Sequence, residues 1–157
     1  MRLFLTLGLM LAAGTVSAQD VLYSNHATES CLASGGGETC IGQSAEACME
    51  ATPGGWSTYG MSGCLDKEWQ YWDKKLNAAY KVAMTSAKRL DSEHSGHIKR
   101  AEALRAAQRA WIPFRDKTCE FEYSQWGGGT GGGPASVQCQ MVMTGKQTLY
   151  LQSVSGG

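Results

Sequence analysis

The chain carries no excess of either charge: 14 Lys and Arg stand against 14 Asp and Glu in 157 residues, with a pI near 6.8. That balance excludes the basic footprint by which nucleic-acid binders hold phosphates. Past its first residues the chain has no apolar run long enough to span a bilayer. It has no alternating apolar–polar stretch of useful length, so no sheet is expected. Cysteine spacings of 9, 8, 16, 55 and 20 contain no closely spaced pair of the kind that holds structural zinc. There is no Gly-x-Ser-x-Gly elbow for a serine nucleophile. Asp116, Glu120 and Glu122 crowd onto one segment, whereas glycosidase chemistry needs two carboxylates facing each other across a cleft. With no catalytic constellation, the expectation is a protein that is not an enzyme and uses no cofactor or metal.

What the chain does have begins at its N-terminus. Arg2 precedes the apolar run from Leu3 to Ala13, followed by Thr15-Val16-Ser17-Ala18. This is the layout of a secretory signal, with small residues placed for a cut after Ala18. The apolar run of about 11 residues is too short for a membrane anchor, which needs about 20. The expected product is a periplasmic or secreted protein, free of the membrane, whose six Cys can be oxidised.

Residues 19–63 contain Asp20, Glu29, Glu38, Glu46 and Glu50 but no Lys or Arg. The positive charge sits in the remainder. Two explanations compete: the acidic arm complements the rest of the molecule, or it meets a basic partner. The arm is rich in Gly, Ser and Thr, broken at Gly35-Gly36-Gly37 and Pro53-Gly54-Gly55, with room for a short helix over 42–49. An irregular arm held by disulfides is expected.

From Cys64 the pattern becomes helical. Leu65, Trp69, Trp72, Leu76, Tyr80, Ala83, Ala87 and Leu90 step by three or four, with Asp66 and Glu68 suiting the positive end of the helix dipole. A polar break over 91–97 follows, whose His94 and His97 read as solvated turn residues. Ile98, Ala101, Leu104, Ala107, Trp111 and Phe114 mark a second helix, with a kink expected at Pro113 because its ring clashes with the Arg109 carbonyl. A shorter third helix is expected from about Pro134 to Gln152, burying Val137, Met141 and Leu149 and weakened by Gly145. The fold class is therefore all-α: an antiparallel helical hairpin with a shorter third helix, stapled by disulfides, behind the N-terminal arm. Three segments result: a signal over 1–18, the arm over 19–63 and a helical domain over 64–157.

Six cysteines allow fifteen pairings. Cys119 and Cys139 flank the Gly-rich segment between the second and third helices, which favours their pairing. For the rest, Cys31 with Cys40 and Cys48 with Cys64 is the first choice. The segment opened by Trp126 has six Gly in the seven residues 127–133. It has no preceding strand and no Gly-Lys-Ser/Thr ending, which excludes a phosphate loop. It is either a flexible connection or a binding loop made of Trp126, Gly127, Gly128, Gly129 and Thr130. The densest polar–aromatic cluster is Gln108, Arg109, Trp111, Arg115 and Asp116. Gln108, Trp111, Arg115 and Cys119 fall on one helix face, placing Arg115 for an ion pair that glues helices together.

Several of these runs resemble the lysozyme inhibitor LprI-like family. They are Trp72-Asp73-x-x-Leu76-Asn77-x-x-Tyr80, Leu104-Arg105-x-Ala107-Gln108-Arg109-Ala110-Trp111-Ile112-x-Phe114-Arg115-Asp116-x-x-Cys119, and Gly128-Gly129-Thr130 with Cys139, Thr144 and Leu149. The likeness spans about residues 48–152 and leaves the Cys31/Cys40 arm outside. It implies a small exported helical domain with disulfides and, from the member that names the family, binding to a lysozyme. The implied partner is a lysozyme or another cell-wall protein. The alternative is an envelope interaction module with no inhibitory activity.

Overall fold

The computed structural model describes residues 20–94 and 99–155. The segment over 1–18 expected to be a signal, His97 and Ile98 lie outside the described residues. The elements are α1 (His26–Ala33), a 3-10 turn (Gly37–Cys40), α2 (Gln43–Ala51), α3 (Thr58–Glu93), α4 (Arg100–Ser124) and α5 (Gly132–Ser155), with no strand among the described residues. All three expected disulfides form: Cys31–Cys40, Cys48–Cys64 and Cys119–Cys139.

The backbone of the molecule is α3, a helix of 36 residues that spans about 54 Å at 1.5 Å per residue. It starts at Thr58, ahead of the Cys64 onset that the apolar periodicity marks. Ser57 is extended, and its Oγ accepts the Gly60 N–H at 3.1 Å, satisfying one of the free donors of the first turn. Leu65, Trp72, Leu76, Ala83 and Ala87 are buried along one face, as the spacing predicts; Ala79 joins them, and Trp69, Tyr80 and Leu90 are half-buried. α5 lies against this face and forms the largest helix–helix interface. At 24 residues α5 is nearly as long as α4, which has 25.

The buried side of α5 differs from expectation. Met141 is buried, but Thr144, Gly145, Thr148 and Leu151 join it, while Val137 and Leu149 are half-buried. The threonines tolerate burial because Thr148 Oγ donates to the Thr144 carbonyl at 2.8 Å and Thr144 Oγ accepts from Arg115 at 3.4 Å. Gly145 is no mere weak point: a Cβ there would stand 2.8 Å from Ile41 Cδ1, so its bareness admits the Ile41 side chain.

α4 runs as unbroken helix through Pro113. Only Gln108 and Cys119 of α4 are buried, with Leu104 and Trp111 half-buried against Leu76, Ala79, Ala83 and Leu151. Its first turn is capped from a distance. Asp91, on the last turn of α3, accepts the N–H of Arg100 at 2.8 Å and of Ala101 at 3.0 Å. The Ala101 and Arg100 amides hold the Asp91 carboxyl below its ordinary range.

The arm is not irregular. α1 and α2 pack together through a reciprocal pair, Thr28 N–H to Ser44 Oγ and Ser44 N–H to Thr28 Oγ, each at 3.0 Å. Glu68 fixes them to α3. Its side chain is completely buried and accepts four donors: Thr28 Oγ at 2.9 Å, Gly42 N at 2.8 Å, Ala45 N at 2.6 Å and Trp72 Nε1 at 3.0 Å. Polar pairing and two disulfides thus add to the few large apolar residues of the arm, Met49 with Val21, Tyr23, Leu32 and Ile41, that pack on the core.

Candidate functional site

Arg115 projects from α4 into the bundle. Its guanidinium carbon is 5.0 Å from the Trp111 ring centroid and 5.9 Å from that of Trp69 on α3. Planar cations stack well on such rings. Nε and Nη2 both reach Asp116 Oδ1, at 3.0 and 2.8 Å, and Nη1 reaches Thr144 on α5. The Arg115 side chain is 12% exposed and that of Asp116 is 49% exposed. Gln108, also on α4, accepts from Gln147 Nε2 on α5 at 3.0 Å. Gln108, Trp111 and Arg115 therefore tie α4 to its neighbours, whereas the Arg115–Asp116 ion pair lies within α4 instead of between helices and Arg109 faces solvent.

At the far end of α4 the chain turns through Trp126–Gly131. Trp126 N–H donates to the Tyr123 carbonyl at 3.2 Å, Gly127 N–H to Ser124 at 3.2 Å, and Gly129 N–H to Trp126 at 2.8 Å. Gly127 and Gly128 have φ of 53° and 88°, which side chains other than hydrogen rarely permit. Gly131 serves another purpose. A Cβ on it would stand 2.2 Å from Trp126 Cζ3, so the indole folds flat onto bare backbone. Gly132 does the same for Tyr123, whose Cδ2 would be 3.1 Å from an added Cβ. The segment is a compact turn, closed by Cys119–Cys139, that holds Trp126 in place while leaving it 53% exposed. Thr130 is exposed beside it.

The sequence patterns miss two exposed aromatic residues at the start of α3. The start of α3 lies beside the start of α5: an added Cβ on Gly133 would meet Ser62 Oγ at 3.7 Å, and Tyr59, Ser62 and Val137 line one cleft of about 430 Å³. Tyr59 is 60% exposed and Trp56, just ahead of the helix, is 58% exposed. The visible signal was an aromatic residue on either side of the Ser57 cap. Phe121 and Tyr123 are also exposed on the last turns of α4. Aromatic groups held on rigid backbone supply contact area with little entropy to lose on binding.

All five carboxylates of the arm, Asp20, Glu29, Glu38, Glu46 and Glu50, are exposed, and one of them, Glu38, pairs with Lys146 of α5 at 3.4 Å, the only ion pair the arm makes among the described residues. No group of His, Cys, Asp and Glu among the described residues is arranged to hold a metal. None of the described helices is long and apolar enough to cross a membrane.

The family model described as "Lysozyme inhibitor LprI" matches residues 48–151. That range takes in α3, α4, the Trp126 turn and nearly all of α5. The chain belongs to the lysozyme inhibitor LprI family. α1, the 3-10 turn and the first residues of α2 lie ahead of the matched range. The chain is 25% identical over 127 residues to an uncharacterized 17.7 kDa protein in the puhA 5' region of Rhodobacter capsulatus, a match covering 75% of each. It is 31% identical over 104 residues to uncharacterized protein YecT of Escherichia coli (strain K12), covering 59% of this chain and 60% of that one. No solved structure matches it.

Proposed function

We propose that this protein is exported and inhibits lysozyme-type muramidases by seating the Trp126–Thr130 turn in the enzyme's substrate cleft. One observation carries this reading: a half-exposed tryptophan is pinned on a glycine platform and bracketed by a disulfide, in a chain of an inhibitor family. An inhibitor needs a projection that is ordered before it binds, because ordering on binding subtracts from affinity. The exposed acids of the arm favour a basic enzyme and speed encounter with it.

The test is the loss of turbidity of a cell-wall suspension with lysozymes of the c and g types and equimolar purified protein. Slower lysis is expected, and Trp126→Ala is expected to weaken inhibition about 30-fold, matching a buried anchor of about 2 kcal/mol. Unchanged lysis at several ionic strengths overturns the proposal and leaves the non-inhibitory envelope module.

A further inference from the structure

Between α1 and α3 lies a cleft of about 550 Å³ that shares no residue with the Trp126 turn. On the α3 side it presents Lys67, Tyr71, Lys74 and Lys75, spaced to fall on one helical face. On the other side stand Asn25 and Glu29. Two of its polar atoms, Tyr71 Oη and Asn25 Oδ1, are shielded from solvent yet have no hydrogen-bond partner. Groups in that condition cost free energy until a partner arrives.

The three lysines make no ion pair among the described residues. Nor do the acids interleaved with them on α3 quench the cleft. Asp66 accepts Gln70 Nε2 at 2.6 Å and Asp73 accepts Asn77 Nδ2 at 3.1 Å, and neither carboxylate belongs to α3's cleft-facing stripe. Lys75 Nζ sits 5.2 Å from the Tyr71 ring centroid, which keeps the ammonium over the cleft wall. Tyr71 is pushed up to about 12 by burial first and then by Glu29 and Glu68, so its hydroxyl remains a donor at neutral pH.

These groups ask for two kinds of chemistry at once. The ammonium groups call for an oxyanion. The Glu29 carboxylate calls for hydroxyl or amide donors, and a bare anion would be repelled by it. An uncharged sugar would leave three ammonium groups unanswered. We propose that this cleft binds an acidic saccharide, with its carboxylate or phosphate against Lys67, Lys74 and Lys75 and its hydroxyls toward Glu29. Lys67 and Lys74 are two helical turns apart, about 10 Å, so the cleft accommodates one to two sugar rings. The same chemistry is offered by a soluble glycan and by the headgroup of a sugar-bearing lipid.

Nuclear magnetic resonance of the full mature chain separates the outcomes. Titration with N-acetylmuramic acid is compared with N-acetylglucosamine, which lacks the 3-O-lactyl group and with it the carboxylate. Saturable shifts at the amides of Asn25, Gln70 and Tyr71 are expected with the acid alone, fading as salt is added. The double variant K67E/K74E is expected to lose them while the rest of its spectrum stays in place. Co-sedimentation with phosphatidylcholine vesicles carrying phosphatidylinositol, absent in the double variant, would support the proposal with a lipid headgroup as the source. Equal shifts with the neutral sugar overturn it, as does the absence of both sugar shifts and vesicle binding. Neither readout depends on lysozyme, so a failure of inhibition and a failure here are told apart.

Discussion

The Glu68 carboxylate on α3 accepts the backbone N–H of Ala45, the third residue of α2, at 2.6 Å. It thereby does for α2 what a capping side chain ordinarily does. Gly42, at the cap position with φ of 101°, has no side chain to offer, and its own N–H also goes to Glu68 at 2.8 Å. A negative charge at the positive end of a helix is favourable, and removal from water makes it more so. Together with the Cys48–Cys64 bridge, this one carboxylate docks the arm on α3.

Replacing Glu68 by Gln keeps the shape and changes only charge and donor pattern. Oε1 takes three donors and Oε2 takes one, so wherever the amide NH2 group points, at least one donor faces another donor. The expected loss is about 2–4 kcal/mol, the cost of weakened charge-assisted bonds plus one stranded donor. Urea unfolding measures it. Limited proteolysis localises it, with cleavage of Glu68→Gln expected within residues 20–52 before the bundle is cut. Equal stability of variant and parent would show that Glu68 does not hold the arm.

The helices of the bundle were legible because their apolar residues repeat at helical spacing, and the disulfides because the cysteines flank the breaks between segments. Glu68 was not. In sequence it looks like an acid near the start of a helix that begins at Cys64. Its partners Thr28, Gly42 and Ala45 lie 40, 26 and 23 residues away, and no local pattern connects them. The burial of Thr144 and Thr148 was hidden for a related reason: periodicity counts apolar residues, whereas these two are buried because Arg115 and a preceding carbonyl satisfy their hydroxyls. The glycine run showed a turn but not its stiffness, which comes from the Trp126 and Tyr123 rings lying on Gly131 and Gly132.

The Cys119–Cys139 bridge closes a separation of 20 residues around that turn. In the chain-entropy model its removal costs roughly 3 kcal/mol. The double variant Cys119→Ser with Cys139→Ser is expected to lose that much in denaturant unfolding. If a rigid turn is what fills a lysozyme cleft, inhibition falls further than the populated folded fraction explains. Retained inhibition at full strength in the folded variant would mean the bridge stabilises without ordering the site.

Gly60 gives a sign test for backbone packing. Alanine normally improves a helix over glycine by about 1 kcal/mol. At Gly60 a Cβ would stand 2.4 Å from the Gly54 carbonyl oxygen and 2.6 Å from Gly55 Cα, both rigid backbone of the turn before α3. Gly60→Ala is therefore expected to destabilise, by about 1–3 kcal/mol. Gly133→Ala is the control, since its Cβ meets nothing nearer than Ser62 Oγ at 3.7 Å, an ordinary contact. It is expected to be neutral to stabilising, by up to about 1 kcal/mol. Thermal melts of the two variants, run side by side, decide whether the α3 start is as close-packed as the geometry indicates.

Tyr71 links stability to alkaline pH. Burial, then Glu29 and Glu68, raise it to about 12 in the folded protein, against about 10 in an unfolded chain. Because the folded-state value is the higher one, the neutral phenol's contribution is fully present below about pH 10. It is lost as pH rises through the folded-state value near 12, where the buried hydroxyl must ionise between two carboxylates. Tyr23 is raised in the same direction, by burial first and then by Glu68 and Tyr71, and adds to the loss. Urea midpoints measured from neutral pH upward are therefore expected to fall beyond about pH 10. Tyr71→Phe has no phenol to ionise, so its decline should be shallower, with the remaining slope due to Tyr23 and the lysines. Phenolate absorbance gives an independent check: one fewer late-titrating tyrosine is expected in Tyr71→Phe than in the parent. Superimposable pH profiles for the two proteins would mean that Tyr71 ionises as freely in the folded chain as in the unfolded one.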